Sequence, residues 1–164
     1  METQLDFVGL LRLLANARVK MVVIGGVAMT LRAGNYTTLD LDVCFERSEE
    51  NIERLCRTLA PHCSAIRGAF TDTLNLLASN PQGEKFATDF GDIDLLGEVA
   101  GIGDYAAVVE DSSPVSIRDF AVDALTIDGL LKAKEAANRE KDRPHLVALR
   151  ALKELLGEQS QDDQ

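Results

Sequence analysis

Two short segments of this chain alternate acidic and apolar residues: Leu39-Asp40-Leu41-Asp42-Val43 and Asp92-Ile93-Asp94-Leu95. A period of two is what an extended strand requires when only one of its faces is packed. In each segment the carboxylates share one face and the aliphatic side chains share the other, whereas a helix would scatter both sets around its circumference. The two segments therefore demand a sheet with an apolar face and an acidic one. Neighbouring carboxylates repel unless they are protonated or bridged by a cation. Such a face is either a solvated outer surface or a site for a hard cation. Mg²⁺ suits it, because that ion usually binds one or two carboxylates together with substrate phosphates.

Around these strands the pattern alternates between helix and strand. Leu5, Val8, Leu11 and Leu14 recur at helical spacing within 4–16, and the β-branched run 20–24 ends at Gly25-Gly26. A short helix over 27–32 closes at Gly34, and the acidic strand extends over 39–45. Ser48 caps a helix with Glu49 and Glu50 in its first turn; Ile52, Leu55, Cys56 and Leu59 form its buried stripe, and Pro61 stops it. Residues 72–78 and 84–96 read as two strands around the turn Asn80-Pro81-Gln82-Gly83. A short helix over 103–110 and a hairpin over 114–125 follow. Thr126 caps a helix reaching Ala137, with Asn138 in the left-handed stop position. Asp142 or Arg143, with Pro144 just inside, opens a last helix along Leu146, Leu149, Leu152 and Leu156, ending at Gly157. The expected fold is α/β (α+β), a mixed central sheet flanked by helices with a helical C-terminus. One domain over 1–157 precedes an acidic, flexible tail over 158–164.

The 164 residues carry 17 Lys and Arg against 27 Asp and Glu, a net charge of −10. That balance argues against a general nucleic-acid coat, which depends on basic residues neutralising many phosphates. It leaves room for a small basic pocket or a metal-dependent site. The N-terminus lacks the basic and apolar segments of a secretion signal, and runs such as Met21 to Ile24 are too short to span a membrane. A cytoplasmic protein without a membrane partner is expected. Cys44, Cys56 and Cys63 form no Cys-x-x-Cys unit and are expected as reduced thiols. Cys56, His62 and Cys63 have no fourth ligand at zinc spacing. His145 is expected exposed or capping, and Phe70, Phe86 and Phe90 are expected in the core.

Gly25-Gly26 has two readings: a tight strand-to-helix connection, or a backbone that approaches an anion at a helix N-terminus. It is neither a P-loop nor the dinucleotide fingerprint. Its combination with an acidic strand whose first aspartate, Asp40, follows Gly26 after thirteen intervening residues is more specific than either part. Val22-Val23-Ile24-Gly25-Gly26, Leu39-Asp40-Leu41-Asp42-Val43 and Ile93-Asp94-Leu95 together resemble the DNA polymerase β-like nucleotidyltransferase superfamily. The chain looks most like the small bacterial nucleotidyltransferase-like proteins, several of which occur in toxin–antitoxin and abortive-infection modules. The stretch Lys134 to Asp142, with Arg139 and Lys141, is similar to their C-terminal basic segment. The resemblance spans 18–156.

That resemblance implies a set of roles. Gly25 and Gly26 would hold the triphosphate, with Thr38 beside them. Asp40 and Asp42 would bind a pair of Mg²⁺ or Mn²⁺ ions. Asp94 would be the third carboxylate, a metal ligand that also helps deprotonate the acceptor; Asp92 is the alternative, since periodicity does not separate the two. Lys134, Arg139 and Lys141 would face the phosphates, and plain solvation near a helix C-terminus is the competing account of them. Relatives commonly carry Arg-x-Thr-x-Asp-x-Asp; here Tyr36 stands at the Arg position, with Arg32 one helical turn earlier as a substitute cation. The implied activity is Mg²⁺-dependent transfer of a nucleoside monophosphate from an NTP such as ATP to a hydroxyl of a protein, an RNA end or a small molecule. The acidic charge places a protein partner, such as a cognate toxin or antitoxin, ahead of RNA. The alternative from another class is a catalytically weak or inactive nucleotidyltransferase-fold antitoxin or interaction protein.

Overall fold

The computed structural model of the chain describes residues 4–34 and 38–162, with side chains described as far as residue 157. The elements are α1 (Phe7–Asn16), β1 (Met21–Ile24), α2 (Gly25–Ala33), β2 (Asp40–Phe45), α3 (Glu49–Leu59), α4 (Ser64–Gly68) and α5 (Phe70–Ser79). They continue with β3 (Glu84–Thr88), β4 (Gly91–Leu96), β5 (Glu98–Val99), β6 (Gly103–Asp104), α6 (Tyr105–Glu110), β7 (Ser112–Ile117), β8 (Phe120–Leu125), α7 (Ile127–Ala137) and α8 (Arg143–Asp162). Six strands form one mixed sheet in the order β3-β4-β2-β1-β8-β7, and β5 with β6 form a separate small ribbon. Among the described residues no helix is long and apolar enough to cross a membrane.

The alternation in the acidic strands is realised as the sequence demands. Leu41, Val43, Ile93 and Leu95 are fully buried, while Asp40, Asp42, Asp92 and Asp94 are half-buried on the opposite face. α3 packs against both α1 and α5, and α2, α7 and α8 are linked by α2–α7 and α7–α8 contacts. Local signals fix the helix ends. Asp6 accepts from Gly9 N (2.9 Å), Ser48 from Asn51 N (3.2 Å) and Thr126 from Gly129 N (3.1 Å), each satisfying a helix N–H that would otherwise have no partner. Asn138 closes α7 in the left-handed conformation at φ 50°. The buried Asn51 side chain also donates to Lys20 O and Glu46 O and accepts from Lys20 N, which latches α3 onto the ends of β1 and β2.

Three segments differ from the sequence expectation. Residues 70–79 form a helix and not a strand. Phe70, Thr73, Leu74 and Leu77 bury one helical face, and Thr73 Oγ1 donates to Ala69 O four residues back. The apolar run Leu74 to Ala78 satisfies either period, and packing against α3 selects the helix. The expected strand over 84–96 is instead a hairpin, β3 and β4, turned at Asp89-Phe90. Thr88 Oγ1 donates to Gly91 O (2.6 Å) and accepts from Phe90 N (3.1 Å), and Gly91 takes φ 111°. Lastly, α8 passes through Gly157 to Asp162. A single glycine costs a helix only about 1 kcal/mol, which the good helix formers on either side offset.

Candidate active site

Strand pairing brings the two acidic segments together. β2 and β4 are parallel neighbours in the register Asp40↔Asp92 and Asp42↔Asp94, so all four carboxylates share one face. β1 is antiparallel to β2, with Ile24 opposite Asp42, and this sets the start of α2 beside that carboxylate. Gly25 and Gly26 are not a loop ahead of the helix but its first two residues. Gly25 has φ 63°, and a Cβ there would run into Asp42 Oδ2. A Cβ on Gly26 would come within 2.8 Å of Thr38 Oγ1, which donates to Asp40 O at 2.9 Å. Both glycines therefore let β2 approach the helix start, and this packing role stands beside any role toward a ligand.

Asp42, Asp94 and Gly25 open onto a cleft of about 270 Å³. It is lined by Val99, Leu125, Leu130 and Ala133, and by Lys134 and Arg139. Asp94 shares Asp42's row and the cleft, whereas Asp40 and Asp92 form the next row outside its lining. Neither Asp42 nor Asp94 makes an ion pair among the described residues. Burial, followed by the charges of Asp94 and Asp40, pushes the Asp42 carboxyl up to about 6, against the weaker pull of Lys85 and Arg139. Burial also raises Asp94; Lys85 opposes the rise, and Asp40 and Glu84 add to it. These are hard oxygen donors short of positive charge, which fits a divalent cation. Among the described residues no three acidic, His or Cys side chains form a closed metal cage. An ion here would complete its shell with water and phosphate oxygens.

Lys85 is the residue that the sequence reading missed. β3 pairs antiparallel with β4 and sets Lys85 opposite Asp94, so Lys85, Asp94 and Asp42 form one row across the sheet. Its ammonium reaches diagonally to Asp40 Oδ2 at 2.7 Å. Only the hairpin at Asp89-Phe90, which the sequence signals weakly, gives Lys85 this position.

The C-terminal basic residues converge on a carboxylate. Asp142 is buried, and its oxygens accept from Lys134 Nζ (3.0 Å) and Arg139 Nε (2.6 Å), with His145 Nδ1 at 3.9 Å from Oδ1. Burial works to raise the Asp142 pKa, but the hydrogen bonds and charges of Arg139 and Lys134 together outweigh it and hold it below the usual range. His145 is half-buried against Lys134, and burial lowers its pKa. Lys141 is exposed on the 3₁₀ turn Glu140–Asp142 and does not line the cleft.

Tyr36 lies outside the described residues. Arg32 does not line the cleft. It donates to Leu125 O, Ala124 O, Ser113 O and Ser113 Oγ at 2.7–3.0 Å, tying the end of α2 to β7 and β8. Cys44, Cys56 and Cys63 are free and buried, and His62 packs on Phe90 with Nδ1 3.3 Å from Asp89. A second hollow of about 350 Å³ near Glu46, Arg47 and Tyr105 is larger, yet its charged groups are already engaged. Arg47 donates to Ala78 O, Glu46 pairs with Lys20, and Asp104 caps α6.

Neither a family model nor a curated protein matches the sequence. Among solved structures, the crystal structure of "a putative nucleotidyltransferase" from Thermotoga maritima is similar, with a TM-score of 0.53 at 13% identity. The likeness covers 95% of this chain and 97% of that one. Over nearly its whole length, then, the chain shares the fold of that nucleotidyltransferase-like protein.

Proposed function

We propose that the protein is a metal-dependent nucleotidyltransferase that moves a nucleoside monophosphate from an NTP to a hydroxyl acceptor. The observation that carries this reading is the parallel β2–β4 register, which sets Asp42 and Asp94 side by side next to Gly25 at a cleft that Lys134 and Arg139 also line. The apolar wall of Val99, Leu125 and Leu130 suits a nucleobase, and the first turn of α2 with Lys134 and Arg139 suits the phosphates. Asp42 and Asp94 would hold Mg²⁺ or Mn²⁺, with Asp40 behind them. When bound, the ion lowers the pKa of the acceptor hydroxyl and offsets charge on the departing pyrophosphate. Asp94 takes the hydroxyl proton on a carboxylate oxygen; the acceptor oxygen bonds to the α-phosphorus, and the bond to the β-phosphate oxygen breaks as pyrophosphate leaves. Lys134 and Arg139 stabilise the transferring phosphates.

The net charge of −10 favours a protein or small-molecule hydroxyl over RNA. The Asp40→Asn, Asp42→Asn double variant is expected to lose Mg²⁺-dependent NTP turnover, and unchanged turnover would overturn the assignment. One observation favours a second reading, an interaction protein such as an antitoxin that keeps the fold: Lys134 and Arg139 are both engaged by Asp142. Calorimetry with Mg²⁺ and each NTP separates the two. Absence of nucleotide binding, together with a stable complex with a protein partner, would select the second.

A further inference from the structure

Lys85 supplies a cation of the chain's own at the carboxylate face. We propose that it takes the position of one metal ion, so that the site holds a single divalent cation between Asp42 and Asp94 and uses the Lys85 ammonium as its second positive charge. This rests on the metal-dependent reading above and departs from the metal pair that the family resemblance implies.

Two observations support it. The ammonium lies 2.7 Å from Asp40 Oδ2, so an Asp40 oxygen already carries a charge-assisted hydrogen bond and is withdrawn from metal ligation. The strand register fixes this arrangement: Lys85 lies opposite Asp94, and Asp94 lies opposite Asp42, so the lysine is held in the same row as the two remaining carboxylates and feels the charges of Asp94 and Asp92 as well. A second divalent ion beside Asp40 would meet this cation at close range. The pairing also fits the division of the face into two rows. Asp42 and Asp94 line the cleft without an ion pair, while Asp40 in the outer row has its cation built in.

The test counts Mn²⁺ ions bound per chain by electron paramagnetic resonance titration, without nucleotide and then with a non-hydrolysable NTP analogue. Wild type and Lys85→Arg are expected to bind one ion. Lys85→Met and Lys85→Gln are expected to bind two in the presence of the analogue, and Lys85→Met combined with Asp40→Asn returns to one. Two ions in wild type, or one ion in both Lys85→Met and Lys85→Gln, would overturn the proposal while leaving metal dependence intact. No Mn²⁺ bound by any variant would overturn this proposal and the metal-dependent reading together. Thermal melts of each variant confirm that the counts come from folded protein.

Discussion

Asp142 and the Asp42–Asp94 pair are carboxylates in one ionic neighbourhood, bridged by the field of Arg139, and their environments differ in a telling way. Asp142 is almost fully buried, yet two cations hydrogen-bond to it, and its pKa falls. Asp42 is less buried and has no cation in contact, and its pKa rises to about 6. The first arrangement stabilises the folded chain by pinning α7 to the start of α8. The second costs stability, because two partly desolvated carboxylates stand side by side. A strained cluster beside a cleft, in a fold that has satisfied its other buried charge, points to use by a ligand.

Substitutions can break this contrast. The largest effect is expected from Asp142→Ala, which leaves the half-buried Lys134 without its counter-charge. Urea unfolding at pH 7 should show a loss of about 3 kcal/mol. As the pH falls through the depressed pKa of Asp142, the wild-type advantage over the variant should fade, because a lowered carboxylate pKa contributes stability only while the group is charged. Gly25→Ala should cost about 2 kcal/mol, from its positive φ and the clash with Asp42. A Gly25→Ala, Asp42→Ala double variant should recover part of that cost, and strict additivity would show that the clash is relieved elsewhere.

Asp42→Asn should act in the opposite direction and stabilise the protein by about 1–2 kcal/mol at pH 8. The sign follows from the raised pKa. The protonated group favours the folded state below about 4, the usual carboxylate value, and that contribution is lost as the pH rises through about 6. The gain from Asn should therefore be absent at pH 4 and complete by pH 7, as read from melting temperatures across that range. Lys85→Met is the smallest stability effect, since Lys85 is exposed on an outer strand; the urea midpoint should stay within error while metal binding changes.

Much of this architecture is written in local chemistry. Ser48, Thr126 and Asn138 announce helix ends through hydrogen bonds made within a few residues, and the Asp-x-Asp alternation announces β2 and β4. The sequence also places Asp42 and Asp94 among the candidate residues. What it does not show are facts of pairing. The run Leu74-Asn75-Leu76-Leu77 fits either period until α3 packs on it, and the Asp89-Phe90 turn lacks the Asn-Gly or Asp-Gly signal of a tight hairpin. Lys85 becomes part of the site only once that hairpin folds it back on β4. Arg32 and Asp142 are similar cases, since their partners lie on other elements or on a turn whose shape the sequence does not specify.

The strand order has a consequence for how the protein behaves at high concentration. β3 and β7 are the outer strands of the sheet, where backbone groups can recruit another chain edge to edge. One carries the adjacent charges of Glu84 and Lys85, and the other carries Pro114, which has no N–H to offer. The lysine assigned to the carboxylate face thus also guards a border, and its replacement by an apolar residue would remove a charge that discourages self-association.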